Sequence, residues 1–397
     1  MRPSRGSATE VLFAFLRLGC TSFGGPIAHL GYFQKELVER RRWCDEGTFA
    51  EVIALAQSLP GPASSQVGFA LGILRAGWLG GLAAWVGFTL PSALLMLAFA
   101  YGHSMLGGSA GIRLLHGLQV VAVAVVAQAV VTMQRSLAPD RVRVAFAILA
   151  AAVALFGPSA ISTLIAITGG AAAGLLLFRD CEFVSAKNGQ ISLPRKEGAI
   201  AATAFLILLL LVPLFARFLT NRWLSVLAAF YHSGALVFGG GHVVLPLLEG
   251  TVVARGWVTQ DSFLAGYGAA QALPGPLFSI GAYLGAAVRP SPNPLVYGLI
   301  GLIGIFAPGL LAMAAVLPFW KELTRNRPVR AALRGINASV VGILIAALFQ
   351  PLWTSTVHTA IDFWLVLSAF SLLTLWKMPA WAIVAGVAGI SLLQTHL

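Results

Sequence analysis

Charge is what this sequence has least of: Asp, Glu, Lys and Arg supply 10% of its 397 residues, against 58% hydrophobic residues. A soluble domain carries about 25% charged residues, so this composition excludes a water-soluble globular protein. Cysteine is also scarce. Cys20, Cys44 and Cys181 are odd in number and scattered; they form neither a CxxC pair nor a Cys/His spacing, which excludes a disulfide framework and a cysteine metal site. HExxH and enclosed pairs of carboxylates are absent, so the chain reads as a non-enzyme with no cofactor. Without a Walker A motif, ATP is not an on-chain energy source. Acidic residues are outnumbered 14 to 26, for a net charge of +12. In a membrane chain such an excess gathers in cytoplasmic loops, and no nucleic-acid partner is needed to explain it.

What the chain does have is long apolar runs, among them Gly80–Ala100 and Ala199–Phe215. Each is long enough to cross a hydrocarbon core of roughly 30 Å. The expected class is an all-α polytopic membrane protein, multi-pass in a bacterial inner membrane. Arg2 and Arg5 precede the first apolar run with no cleavage-type segment after it, which reads as a retained cytoplasmic start.

The sequence is also written twice. Phe23-Gly24-Gly25 recurs as Phe238-Gly239-Gly240, and Leu59-Pro60-Gly61-Pro62 as Leu273-Pro274-Gly275-Pro276. Between them Arg41 matches Arg255, Trp43 matches Trp257, Phe49 matches Phe263 and Gln57 matches Gln271; later, Pro91 answers Pro308 and Gly117 answers Gly335. Residues 1–198 form the first repeat, 199–222 a linking transmembrane helix and 223–397 the second repeat. One extra helix between copies with an even number of crossings inverts the second, a common plan for secondary transporters.

Counting every apolar segment as a crossing gives roughly thirteen. That arrangement strands Lys35, Arg40, Arg41 and Arg42 outside. If the Phe-Gly-Gly and Leu-Pro-Gly-Pro segments are instead re-entrant hairpins, those basic residues move inside and only Arg255 moves out. The positive-inside tendency therefore favours hairpins, leaving about nine full crossings.

The breaks carry the chemistry. Segment 47–75 reads as two half-helices split at Leu59–Pro62, because proline lacks an N–H and blocks the preceding turn. Broken backbone at membrane depth is tolerated only where protein or water satisfies it. Pro62 suits the first position of the second half-helix. Ser64, Ser65 and Gln66 then occupy its first turn, where free N–H groups and the helix dipole attract an anion. A similar end follows Gly24-Gly25, with Pro26 first and His29 in the opening turn. The candidate substrate site is thus Gly24, Gly25, His29, Gln57, Gly61, Ser64, Ser65 and Gln66, with Gly239, Gly240, Gln271, Gly275 and Ser279 in the second copy.

Each residue has a plainer reading. Ser64 and Ser65 can simply pack against a neighbouring helix, as Gly68-x-x-x-Gly72 and Gly281-x-x-x-Gly285 do in a small-residue interface. His29 and His242 can be hydrogen-bonded core residues, and Trp43 and Trp257 interfacial anchors. The basic run Lys35–Arg42 reads as a face against anionic headgroups. Ionisable residues inside a membrane are costly, which makes Arg17, Glu51, Arg75 and His242 the charge-coupling candidates. Arg17 either faces an anion or acts as a counter-charge to Glu51.

Phe23-Gly24-Gly25-Pro26-x-Ala28-His29, Trp43, Ala54-Leu55-x-Gln57-x-Leu59-Pro60-Gly61-Pro62-x-Ser64-Ser65-Gln66, Arg75-Ala76-Gly77 and Phe88-Thr89-Leu90-Pro91-Ser92 together resemble the chromate ion transporter family, in its long-chain two-domain branch. The resemblance spans essentially the whole chain. It implies a secondary transporter of chromate, a tetrahedral oxyanion, exported under the membrane electrochemical gradient to confer resistance. Protons as coupling ion, lipid contact and a homo-oligomer are compatible with it. A sulfate or other oxyanion carrier is the nearest alternative, and an integral membrane enzyme the alternative from another class. The second copy departs from the pattern: Pro26 becomes Gly241, and Ser64-Ser65-Gln66 becomes Phe278-Ser279-Ile280. The first copy is therefore expected to carry more of the specificity.

Overall fold

The computed structural model describes residues 6–103, 109–157, 162–178, 194–219, 221–238, 241–289, 293–319 and 326–393. Gly239, Gly240 and Cys181 lie outside them. Of the described residues 86% are helical and none lies in a strand, as an all-α polytopic membrane protein requires.

The first half opens with α1 (Ala8–Thr21), whose start is fixed by Ser7 accepting the Glu10 N–H at 3.1 Å. Val11, Phe15 and Leu18 recur at helical spacing and bury one face against α4. The helix stops at the Phe-Gly-Gly break, where Gly24 and Gly25 take positive φ. Then α2 (Gly25–Phe33) continues as a π-turn through Arg40. Asp45 caps α3 (Glu46–Ser58) by accepting the Thr48 N–H at 2.7 Å. After the Leu59–Pro62 break, α4 (Ala63–His103) runs with a kink at Ala76 and Gly77. The 13 residues of α3 make about 20 Å of helix, too little to cross a membrane.

Three hydrogen bonds decide what these short pieces do. Glu10 at the start of α1 accepts from Trp43 Nε1 at 3.1 Å and from Arg75 Nη2 at 3.1 Å. The Gly6 N–H donates to the Arg75 carbonyl at 3.0 Å. Trp43 follows α2, and Arg75 ends the first limb of α4. Three chain points that spanning segments would hold a bilayer apart are in contact, so both motif segments turn back to the level they started from.

The second half repeats this geometry in α9 (Arg222–Ala235), α10 (Val244–Leu248), α11 (Gln260–Ala272) and α12 (Ile280–Ala287). Arg222, opening α9, lies 5.0 Å over the Trp257 ring and donates to the Arg289 carbonyl at 2.6 Å. The Arg289 N–H returns to the Trp257 carbonyl at 2.9 Å. Trp43 and Trp257 are thus buried under arginines at the hairpin mouths, rather than free interfacial anchors.

Among the described residues, five helices are long and apolar enough to cross a membrane: Ala63–Gly102, Gly111–Leu137, Arg195–Phe218, Pro294–Phe319 and Arg327–Thr356. They correspond to α4, α5 (Ser109–Leu137), α8 (Arg195–Phe218), α13 (Pro294–Val316) and α14 (Arg327–Ala347) with its continuation. The thirteen apolar segments are therefore not thirteen full-length spans. Four further apolar helices are shorter: α6 (Arg141–Phe156), α7 (Ser162–Leu177), α15 (Ala360–Thr374) and α16 (Ala380–Leu393) have 14–16 residues. These fall below the roughly 17 needed for a perpendicular span. The sequence hid this because hydropathy reports polarity and not where a helix ends. The linking helix α8 has only 6% of its most apolar window buried inside the protein, as befits a helix facing lipid.

The halves are interleaved rather than side by side. Helix α5 of the first half packs on α15 and α16 of the second, while α14 packs on α6 and α7 of the first. Gly117 admits Ser391 and Ala388 of α16, and its repeat counterpart Gly335 admits Gly170 and Gly174 of α7. Small residues let the backbones approach at both crossings. Gly68 and Gly72 pack against Phe15 and Gly80, and Gly281 and Gly285 against Gly301 and Tyr297.

Candidate functional site

The two Pro-Gly-Pro breaks meet the two Phe-Gly-Gly breaks, each across the repeat boundary. The Gly61 N–H donates to the Val237 carbonyl at 2.7 Å, and the Gly275 N–H donates to the Ser22 carbonyl at 2.9 Å. Ser22 and Val237 each precede the phenylalanine of their own Phe-Gly-Gly. The contact is therefore isologous, the same patch serving both partners, as in a two-fold interface. Gly61 has φ +117° and Gly275 φ +92°, a region open to glycine and costly for other residues. A Cβ on Gly61 would lie 2.5 Å from Gly309 Cα, so α13 passes directly over the first break. The matching close approach to Gly275 is made by Ser92 and Phe88 of α4.

At the first break Pro62 serves as the cap, its carbonyl taking the Gln66 N–H at 2.9 Å. It stands one residue earlier than its expected first position. Ala63, Ser64 and Ser65 then present the opening N–H groups of α4. Pro26 is likewise the second residue of α2, which puts His29 just past the opening turn. His29 is 1% exposed, shares a 3.2 Å hydrogen bond with Ser64 Oγ through Nδ1, and stands edge-on to Phe88 at 5.2 Å.

Around this contact lies a set of buried polar atoms that no described residue satisfies: Ser22 Oγ, His29 Nε2, Ser65 Oγ and Thr89 Oγ1. Ser65 is 1% exposed. Burying an unpaired polar group costs about 1–3 kcal/mol, and native proteins satisfy nearly all of them with protein or water. Several of them beside the first break leave room for water or a polar guest to complete them.

Gln66 has another task. Its Nε2 donates to the Pro60 carbonyl at 2.8 Å and to the Gly309 carbonyl at 2.9 Å. Both N–H groups are spent, and those two carbonyl partners fix the amide orientation. Gln66 clamps the break to α13 and leaves its own acceptor, Oε1, unpaired. An acceptor is the wrong polarity for an anion.

The second copy is chemically different. Ser279 is buried in the 3-10 turn that precedes α12, but Phe278 and Ile280 flank it. His242 is engaged, its Nδ1 2.7 Å from the buried Tyr267 hydroxyl. Gln271 lies one turn beyond Tyr267, whereas Gln57 is exposed on α3.

The charge candidates disperse. Arg75 pairs with Glu10, 3.1 Å away, at the hairpin mouth. Glu51 is buried in α3, 6% exposed. Arg17 lines a cavity with Tyr32 and Lys35. Sequence reasoning missed Thr89, Ser22 and Gly309 because their role depends on helices brought together from distant positions. It also missed Asp362, buried and 2.8 Å from His116 across the α5–α15 contact. The described residues contain no group of three potential metal ligands.

The chromate transporter family model matches residues 9–175 and again 224–392. The chain belongs to that family. Among relatives of this chromate transporter family member, the probable chromate transport protein of Synechococcus elongatus is 28% identical over 390 residues, covering 95% of this chain and 93% of its own length. The chromate transport protein of Pseudomonas aeruginosa is 30% identical over 354 residues, covering 86% of this chain and 80% of its own. That of Cupriavidus metallidurans is 27% identical over 394 residues, covering 98% and 93%. All three are named for transport and none for catalysis. No solved structure matches the chain.

Proposed function

We propose that this chromate transporter family member exports chromate from the cytoplasm across a bacterial inner membrane, driven by the electrochemical gradient, and so confers resistance. The observation carrying this reading is the group of buried polar atoms without a protein partner beside the first break: Ser65 Oγ at the N-terminus of α4, with Ser22 Oγ, Thr89 Oγ1 and His29 Nε2. Chromate is a tetrahedral dianion at neutral pH. Free helix N–H groups and hydroxyls suit such an ion, since hydrogen bonds to charged groups are the strong ones. Gly24, Gly25 and Gly61 shape the backbone of this end, and Gly275 seals it from the other repeat. In this reading the repeats are inverted about the isologous contact, with residues 1–198 and 223–397 as the two units and 199–222 between them.

Energetics support export. An inside-negative potential contributes about 2.3 kcal/mol per charge per 100 mV, so a departing dianion gains roughly 4.6 kcal/mol per 100 mV. Import works against the same sum, and proton exchange can add to efflux.

Uptake of radiolabelled chromate into inverted vesicles tests the reading. Accumulation that collapses with the gradient is expected; accumulation of sulfate alone would replace chromate by another oxyanion. Cysteine labelling tests the inversion: Arg41→Cys should react from the cytoplasmic face and Arg255→Cys from the opposite one. Reaction of both from one face would sink it.

A further inference from the structure

Outside the helix-end site, one surface groove combines volume with charge. It has a volume of about 450 Å³ between the C-terminal part of α1 and the hairpin's return limb, and is lined by Arg17, Thr21, Tyr32, Lys35, Glu36 and Arg40, with Leu18 and Glu39 completing it. Thr21 ends α1 beside the Phe-Gly-Gly break, while Arg40 sits near the Trp43–Glu10 mouth. The cavity thus runs from the hairpin mouth toward the break.

Its charges are not all spent on one another. Glu36 takes Arg40 Nη1 at 3.2 Å and Arg41 Nε at 2.7 Å. Arg17 and Lys35 have no ion-pair partner among the described residues, and Glu39 is the one remaining acid in the lining. The balance is positive. The second repeat does not reproduce it. In the register of Phe23 and Phe238, Arg17 is answered by His232 and Tyr32 by Leu247; in that of Arg41 and Arg255, Lys35 is answered by Glu249 and Arg40 by Ala254. The cluster of cations belongs to the first repeat's positions.

We propose that the Arg17–Lys35 cavity is the loading vestibule of the anion path: a site where a free tetrahedral oxyanion is captured before it reaches the α4 helix end, on the first repeat's side only. The vestibule rests on the oxyanion-transport reading above. Arg17 and Lys35 hold the ion electrostatically, with Thr21 and the Tyr32 hydroxyl as neutral donors along the way. The equivalent positions of the second repeat hold His232 and Glu249 in place of two cations, which gives a dianion less to hold. A cleft lined by one sign of charge raises local ion concentration and capture rate, and salt weakens that effect.

The test is initial-rate chromate uptake into inverted vesicles over a range of chromate and salt concentrations, in membranes made with anionic lipid and with phosphatidylcholine alone. Arg17→Gln and Lys35→Gln should each raise KM about threefold to tenfold, leave Vmax within about twofold, and flatten the salt dependence. Arg17→Lys should restore most of the loss, and immunoblotting of the membranes confirms that each variant is inserted. Wild-type transport with unchanged KM and salt dependence in both glutamine variants overturns the vestibule and leaves the transport reading standing. An effect confined to anionic-lipid membranes assigns the cavity to a lipid headgroup and likewise overturns it. If the wild type moves no oxyanion, both readings fall together.

Discussion

The two Pro-Gly-Pro breaks make an instructive pair. Gly61 and Gly275 share positive φ, and each donates its N–H to the other repeat's Phe-Gly-Gly break. Their backbones answer one need: a broken helix must pass its unsatisfied groups to a partner. Their side chains do not match. The first break carries Ser64, Ser65 and the Gln66 clamp; the second carries Phe278, Ser279 and Ile280. The first is packed under Gly309, the second under Ser92 and Phe88. Duplication has kept the backbone geometry and let the side chains diverge.

The hardest blow to this comparison is Gly61→Ala. A side chain there adds backbone strain on the order of 1–3 kcal/mol and a Cβ 2.5 Å from Gly309 Cα. Chromate uptake should fall by more than tenfold with a lower melting temperature in detergent. Gly275→Ala meets its nearest atom, Ser92 Oγ, at 3.0 Å and should be milder in both assays; equal damage would mean that the breaks are packed alike.

Next comes Ser64→Ala with Ser65→Ala. Hydrogen bonds to a charged ligand contribute about 1.5–3 kcal/mol each, so transport should drop by roughly tenfold or more while membrane insertion is retained. Ser279→Ala should stay within about twofold. Unchanged transport in the double variant would return both serines to a packing role.

Gln66→Leu should then cost stability before function. It strands the Pro60 and Gly309 carbonyls, at about 1–3 kcal/mol, read as a lower melting temperature at a nearly unchanged KM. A raised KM with intact stability would make Gln66 a ligand after all. Smallest of all is Tyr267→Phe, which removes the His242 partner in the second copy. It should shift stability by about 1 kcal/mol with no change in chromate KM.

Much of this was legible in the sequence. Leu59-Pro60-Gly61-Pro62 announced a helix break because proline and glycine act locally, and the structure ends α3 at Ser58 and opens α4 at Ala63. The misplacement of Pro62 and Pro26 by one residue reflects capping, which depends on where the first carbonyl bonds. Gln66 could not be read as a clamp, because its second partner, Gly309, lies 243 residues away in the chain. The same distance problem concealed Thr89 and Ser22.

By itself the sequence determined the class, the duplication and the breaks: hydrophobic composition, repeated words and proline chemistry are written residue by residue. Only the tertiary structure decided that the motif segments are hairpins, that the repeats interleave through α5 and α14, and that the donors at one break are left unsatisfied while the histidine near the other is engaged. Those are facts of distance between residues far apart in the chain, and no local preference encodes a distance.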